Sequence, residues 1–369
     1  MIKRIFLLFL ATATLPAIER KAIFPEGATP GGPYSPGVLV GDFLYVAGQG
    51  GQTPQAALDR IRLIVQAAGL TMEHVVYSQV YIHQSMPIET IDKAWKEYFP
   101  TNPPARAVAG IFRMPTDSQV QINAVAVRDL GMKRQTKGGV LAAGRFYLEA
   151  HYGKTAHEAM SKLGDSLKAS GMSFENMVMV HPWLTSAINT GEMNKEYARH
   201  FEYGNTPARA TINMTHLPGG ASIAFTGVAI RDLSQRRAVR PKNMPPSPTA
   251  SPCVWAADTL FCSSKAGFIP GPNGGIYADS VEDQVRQSLR NLLDNLEEAG
   301  LDFSHGVASL VHLDNIDDFA KMNSVYSKYF TGTAPARTTV GPLKPIENRT
   351  RNQNNQAPRL EEIAIIAVK

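Results

Sequence analysis

Three arginines carry the chemistry that this sequence offers. Each ends the same triplet: Pro104-Ala105-Arg106, Pro207-Ala208-Arg209 and Pro335-Ala336-Arg337. A guanidinium is a planar fork of N–H donors that matches a carboxylate two bonds at a time, and it stays charged at any relevant pH. A proline before the arginine and a strand after it would fix the backbone from which the fork is aimed. One such triplet carries no signal, but three in register do. Each lies 37 or 38 residues beyond a glycine that stops a helix (Gly69, Gly171, Gly300). Each also follows a helix ending in Tyr98-Phe99, His200-Phe201 or Tyr329-Phe330. The chain is a threefold internal repeat with one anion-binding fork per copy.

The elements that must position these forks follow from periodicity. Repeat 1 opens with a hairpin over 38–46, turning at Gly41-Asp42. Apolar residues Ala57, Ile61, Ile64, Val65 and Ala68 then recur at helical spacing up to Gly69. A strand over 74–83, a helix over 88–99 and two strands over 106–113 and 119–127 complete the unit. The order β-β-α-β-α-β-β, two helices on one mixed sheet, is an α+β arrangement. Repeat 2 has its hairpin at 140–148 and repeat 3 at 254–261. The expected boundaries are 22–131, 132–232 and 253–369, with a Pro-rich linker at 233–252. The basic run 235–242 lies in that linker and reads as a solvated connector. The aromatics Trp95, Tyr197 and Tyr326 recur at one helical position and read as packing.

Composition bounds the function. At 369 residues the chain exceeds what one core usually serves, and 44% hydrophobic content is that of a globular protein. A net charge of +5 without clustered Lys/Arg and interleaved aromatics argues against a nucleic-acid partner. The nine histidines are scattered, so no metal site is expected, and no cofactor is implied. Lys3 and Arg4 precede the apolar run 5–10, and Ala11-Thr12-Ala13 offers a cleavage site. Residues 1–17 therefore read as a short secretory leader, too short for a membrane span of about 20 residues. The expected location is periplasmic or secreted, with no membrane association after leader removal; an ordinary N-terminal strand in a cytoplasmic protein is the alternative.

Only two cysteines are present. A two-residue turn at Ala257-Asp258 places Cys253 opposite Cys262 at a non-hydrogen-bonded pair, where Cα atoms lie close enough for a disulfide. A cross-strand bridge and two small buried thiols are both consistent with that register.

The motifs of the first copy, Gly32-Pro33-Tyr34-Ser35-Pro36, then Gly48-Gln49, then Tyr98-Phe99 leading to Arg106, resemble those of the RidA family, also called YjgF or UK114. Its members carry GPYS, SGQ, YF…PAR and V-E-I-E-A in that order. The resemblance covers nearly all of the chain after residue 22 and is weakest in repeat 2. It implies three chorismate mutase-like/YjgF-like units forming a single-chain pseudo-trimer, monomeric in solution, with a cleft between each pair of neighbouring repeats. It further implies that Arg106, Arg209 and Arg337 hold the carboxylate of a small 2-imino or enamine acid while water attacks C2 and ammonia leaves.

The other implied site residues match unevenly. The family's substrate-facing Tyr is matched by Tyr34 alone, and Gly48 keeps the glycine of SGQ. Repeat 3 offers Ser263 beside Ser264 for its serine. Asn194 and Asn323 match the Asn on the second helix, where repeat 1 has Asp92. The family's catalytic Glu, taken as the last acid of V-E-I-E-A, falls on Asn123, near Thr226 and on Ala364; Glu362 keeps only the first acid. Three readings follow. The first is a hydrolytic deaminase of 2-imino acids. The second is a non-catalytic protein that binds small carboxylates or serves as a scaffold, favoured by the missing Glu. The third and weakest is an endoribonuclease, a label that some relatives carry.

Overall fold

The computed structural model describes residues 19–28, 31–271 and 275–369. The leader reading at 1–17 lies outside the described residues. Among the described residues no helix is long and apolar enough to cross a membrane.

Each repeat builds a sheet outward from its hairpin. In repeat 1 strands Gly37–Val40 and Phe43–Gly51 are joined by Val120–Val127, then Val75–His83, then Ala105–Ile111 at the edge. The strand bearing Arg106 runs parallel to Val75–His83, as a crossover through a helix requires. Repeats 2 and 3 have the same order, so Arg209 and Arg337 also stand on sheet edges.

Two helices cover one face of each sheet: α1 (Pro54–Ala67) and α2 (Glu89–Tyr98), α3 (Ala156–Ala169) and α4 (Thr190–Tyr197), α5 (Val281–Glu298) and α6 (Phe319–Tyr326). The first helix of each pair is capped by a hydroxyl, from Thr53, Thr155 or Ser280, which accepts a backbone N–H of the first turn. Apolar residues at helical spacing bury the inner faces, for example Ile61 and Ile64, Leu163 and Leu167, Leu289 and Leu292. Gly69, Gly171 and Gly300 follow these helices at φ of 78°, 71° and 77°, a left-handed turn that favours glycine.

Two expectations need correction. Each sheet has an additional edge strand ahead of its hairpin, Lys21–Ile23, Lys133–Thr136 or Arg236–Val239. The third of these lies inside the expected linker. Residues 236–239 pair with Cys253–Ala256, and Arg236 donates to the Met177 carbonyl and to Asn205 of repeat 2. The basic run is thus partly sheet edge and repeat contact. Its polar residues suit an edge whose outer side faces water. Cys253 does pair with Cys262 across the third hairpin, with Cα atoms 4.0 Å apart and the sulfurs bonded.

The face of each sheet away from its helices enters one shared core. It contains Val38, Val40 and Tyr45 from repeat 1, Val140 and Tyr147 from repeat 2, and Val254 and Phe261 from repeat 3. At its heart lies a buried charge. Arg145, first residue of strand Arg145–Gly153, has a side chain only 4% exposed. It donates to Asp258 (2.9 Å), Thr259 (2.5 Å) and the Tyr45 hydroxyl (3.2 Å), and lies over the Phe43 ring at 4.3 Å. One side chain thereby ties all three repeats.

Backbone bonds tie the neighbours as well. Ser35 N–H donates to Pro335 O and, in the equivalent place, Ser251 N–H donates to Pro207 O. The residues that enter the first and third hairpins are thus hung on the neighbour's Pro-Ala-Arg triplet.

Replacing Arg145 by Met keeps its apolar length but strands Asp258 and the Tyr45 and Thr259 hydroxyls. Loss of one partner from a buried pair costs roughly 3–5 kcal/mol, and the partial exposure of Asp258 puts this case near the lower end. The denaturant midpoint of Arg145→Met should fall accordingly; an unchanged midpoint would show that Arg145 is not a staple.

Candidate functional site

Each arginine stands where one repeat's edge meets the next repeat's long hairpin strand, and that strand carries a bulge at this point. Pairing with the partner strand shifts between Val46 and Gln49, between Leu148 and His151, and between Cys262 and Lys265. A bulge adds a residue, bends the strand and re-aims side chains. It turns Ala47-Gly48, Glu149-Ala150 and Ser263-Ser264 toward the neighbouring arginines. Gly48 is needed here for space, because a Cβ would sit 2.7 Å from the Gln121 amide oxygen and 3.0 Å from the Thr338 methyl.

Under each guanidinium lies an aromatic ring. Arg106 is 5.1 Å from Trp95, Arg209 is 5.3 Å from Tyr197 and Arg337 is 4.8 Å from Tyr326. The recurring helix aromatics do pack in the core, but they are also platforms for the arginines. The signal was present in the sequence: the aromatic precedes the arginine by 11 or 12 residues in every copy. Such contacts contribute about 0.5–2 kcal/mol and fix the plane of the fork.

Beyond that shared base the three clefts differ. Arg106 donates to Asp92 at 2.6 Å, so its charge is already paired. The hydroxyl of Tyr152 from repeat 2 accepts from Val108 N–H and donates to Val108 O, both at 2.8 Å, two residues beyond that arginine. Glu149 faces Arg106, and burial raises its carboxyl above the usual range. The charge of Arg106 is thus paired internally through Nη2, while its Nη1 is buried without a partner.

Arg337 is almost wholly buried, enclosed by the rings of Tyr34 (5.3 Å), Phe319 (5.2 Å) and Tyr326. Burial draws its guanidinium below the ordinary value, though an arginine keeps its proton. Its Nη2 and the hydroxyl of Thr339, two residues along the same strand, lack hydrogen-bond partners, as does the Asn323 amide oxygen. Gln121 stands on the facing sheet where an acid would be needed. Among the described residues this cleft has a cation and no carboxylate.

The cleft at Arg209 is different again. It opens into a cavity of about 540 Å³ lined by Arg209, Thr211, Ser264, Lys265, Arg359 and Glu362, and walled by the Pro-rich segment 244–252. Asn194 accepts from Arg209 Nη1 at 2.7 Å, and Ser263 Oγ accepts from the Arg209 backbone N–H at 2.8 Å while donating to Ser251 O. Asn194 and Ser263 hold the arginine in place. Ser264 donates to a Glu362 carboxylate oxygen at 2.5 Å, and Arg359 lies 3.4 Å from the other. The Thr211 hydroxyl, in the link between strands Ala208–Arg209 and Ile212–Asn213, is buried without a partner, and Thr211 lines the same cavity as Arg209.

This geometry revises the reading of the acidic motif. Asn123, expected to touch substrate, instead bonds Gln79 and Thr338 inside the structure (3.0 and 3.1 Å). Thr226 bonds Tyr77 and the Leu148 carbonyl, and Ala364 lies in the shared core. All three positions lie opposite the bulges and face a closed interior, so the absence of Glu there removes nothing from a cleft. Glu362, two residues earlier on the same strand face as Ala364, is the acid that reaches one. Its matches in the other repeats are Gln121 and Ala224. Among the described residues no group of His, Cys, Asp and Glu side chains is placed to hold a metal ion.

Comparison with known proteins agrees with this architecture. The family model described as Endoribonuclease L-PSP matches three times, at residues 26–128, 138–230 and 244–344. A RutC family protein of Saccharolobus solfataricus is 33% identical over 122 residues, 29% of this chain and 97% of the relative. The 2-iminobutanoate/2-iminopropanoate deaminase of Rattus norvegicus is 36% identical over 87 residues, 24% of this chain and 63% of that protein. Reactive Intermediate Deaminase A of Arabidopsis thaliana is 37% identical over 89 residues, 24% of this chain and 47% of its own length. The chain thus spans about half to two-thirds of these two deaminases. A crystal structure of a chorismatase matches 80% of this chain and 93% of its own with a TM-score of 0.55 at 12% identity, a likeness of fold alone.

Proposed function

We propose that this chain, which belongs to the Endoribonuclease L-PSP (RidA/YjgF) family over all three of its repeats, is a hydrolytic deaminase of 2-imino acids that works through the cleft between repeats 2 and 3. The observation that carries the reading is the meeting of Arg209 and Glu362 across an open cavity.

The substrate's carboxylate lies on the Arg209 fork, with the Thr211 hydroxyl as a further donor. Water beside Glu362 attacks C2 of the C=N bond, and Glu362 takes its proton. Glu362 returns that proton to nitrogen to give the carbinolamine. It then carries the hydroxyl proton to the amine as the C=O bond forms and the C–N bond breaks, and ammonia leaves with a 2-oxo acid. Ser264 and Arg359 hold the Glu362 carboxylate in position. A positioned carboxylate base contributes about 10²–10⁴-fold to such a step. The cleft at Arg106, whose cation is already paired with Asp92, takes no substrate.

The cleft at Arg337 supports the second reading locally. A buried guanidinium with an unpartnered nitrogen and no facing acid suits binding of a small carboxylate without turnover. An endoribonuclease reading draws no support from a cleft enclosed by proline and lacking stacked aromatics for bases.

The test is ammonia release from freshly generated 2-iminopropanoate. Wild type should accelerate it over buffer, and Glu362→Gln should lower kcat by about 10²-fold or more with a small change in KM. Full activity in Glu362→Gln would remove the proposed base. Because three repeats complete the shared core, the protein should elute in gel filtration with the mass of one chain; a trimer of whole chains would contradict a closed pseudo-trimer.

A further inference from the structure

Charge around the Arg209 cavity exceeds what a simple 2-imino acid can balance. Its walls carry three cations, Arg209, Lys265 and Arg359, and a single carboxylate, Glu362. The surplus is two positive charges. A monocarboxylate imine would neutralise one of them and leave the other facing a partly buried cavity, where desolvated charge is costly.

Lys265 is the unsatisfied member. It extends from the bulged strand one residue beyond Ser264, and burial lowers the pKa of its ammonium group. Glu362 pulls on its charge in the opposite sense, and among the described residues no carboxylate lies within ion-pair distance of it. Lysine is rarely taken out of water without an acid beside it. At the corresponding position the other repeats have Gln49 and His151, so the charge is peculiar to this cleft.

Space points the same way. The cavity of about 540 Å³ falls within the ~300–1,000 Å³ of sites for molecules much larger than a three-carbon acid. Where repeat 1 has Tyr34 lying over Arg337, the equivalent segment before the third hairpin has Ala250, which leaves room above Arg209. The lining residues Thr211, Asn213, Arg359 and Glu362 continue into an adjoining hollow of about 230 Å³ that also holds Lys344.

We infer that the Arg209 cleft is built for a substrate with a second anionic group, an imine or enamine of a dicarboxylic 2-amino acid, with Arg209 on the carboxylate beside C2 and Lys265, flanked by Arg359, on the distal acid. This rests on the deaminase reading for its chemistry but not for its ligand. Lys265 is then a specificity-determining residue rather than a catalytic one.

The experiment compares kcat/KM for 2-iminoglutarate and 2-iminopropanoate, each generated in place by an amino-acid oxidase. Wild type should prefer the diacid by about tenfold or more. In Lys265→Met that ratio should fall toward one, and Lys265→Arg should restore most of it. Arg359→Gln, a change at a half-exposed side chain, provides a second variant that should lower the ratio should Lys265→Met not fold. A wild-type ratio near one, or equal loss on both substrates in Lys265→Met, overturns the inference while leaving the deaminase intact. If wild type hydrolyses neither imine, the deaminase reading fails, and calorimetry with 2-oxoglutarate against 2-oxobutanoate decides the inference. Tighter diacid binding that weakens in Lys265→Met sustains it, and equal affinities overturn it.

Discussion

Everything in this molecule depends on three sheets sharing one core, and the interaction that fixes their meeting is the single guanidinium of Arg145. The first residues of the three long hairpin strands are Phe43, Arg145 and Thr259, and Arg145 touches both of the others. A symmetric assembly of identical chains would place the same residue there three times. Three guanidiniums in one buried spot would repel by several kcal/mol, since unit charges a few ångströms apart interact strongly in a poorly screened interior. One arginine, one ring and one hydroxyl can satisfy each other instead. The tandem arrangement therefore permits a solution closed to a homotrimer, and this core specifies one order of repeats.

Once the repeats differ, their clefts are free to differ. The common elements are retained in every copy: an edge strand bearing the arginine, an aromatic ring beneath it and a bulged strand across from it. What varies is the set of groups that compete for the arginine. Asp92 pairs the arginine of the first cleft from within. Three rings enclose Arg337 in the third. At Arg209 the competing oxygen is the neutral amide of Asn194, which orients the fork without cancelling its charge, and Glu362 stands by as the acid. Pairing a cation internally and leaving it available for a ligand are alternatives, and the chain uses both.

Much of this was legible in the sequence, because it rests on local periodicity and on turn residues. The repeats, the helix stops at Gly69, Gly171 and Gly300, the hairpins and the opposition of Cys253 and Cys262 are all short-range features. The edge strands were not legible. Residues 236–239 are strand only because Cys253–Ala256 offers them unpaired backbone groups, which is a long-range fact. The role of Trp95, Tyr197 and Tyr326 was hidden for a similar reason, since a helix aromatic over the core and one beneath an arginine have the same spacing. The acidic motif misled more seriously. Strand alternation places Glu362 and Ala364 on one face correctly, but that face passes from the open cleft to the closed interior within two residues. Only the bulge opposite Ala364 shows which of the two positions a substrate can reach.

The central claim is that one of three arginines works, and the most direct measurement is a crystal soaked with 2-oxobutanoate, the product of the corresponding imine. The account predicts electron density for the ligand's carboxylate on Arg209, with its C2 facing Glu362, and none beside Arg106. Density at Arg106, or a ligand at Arg337 with the Arg209 cavity holding only solvent, would contradict it.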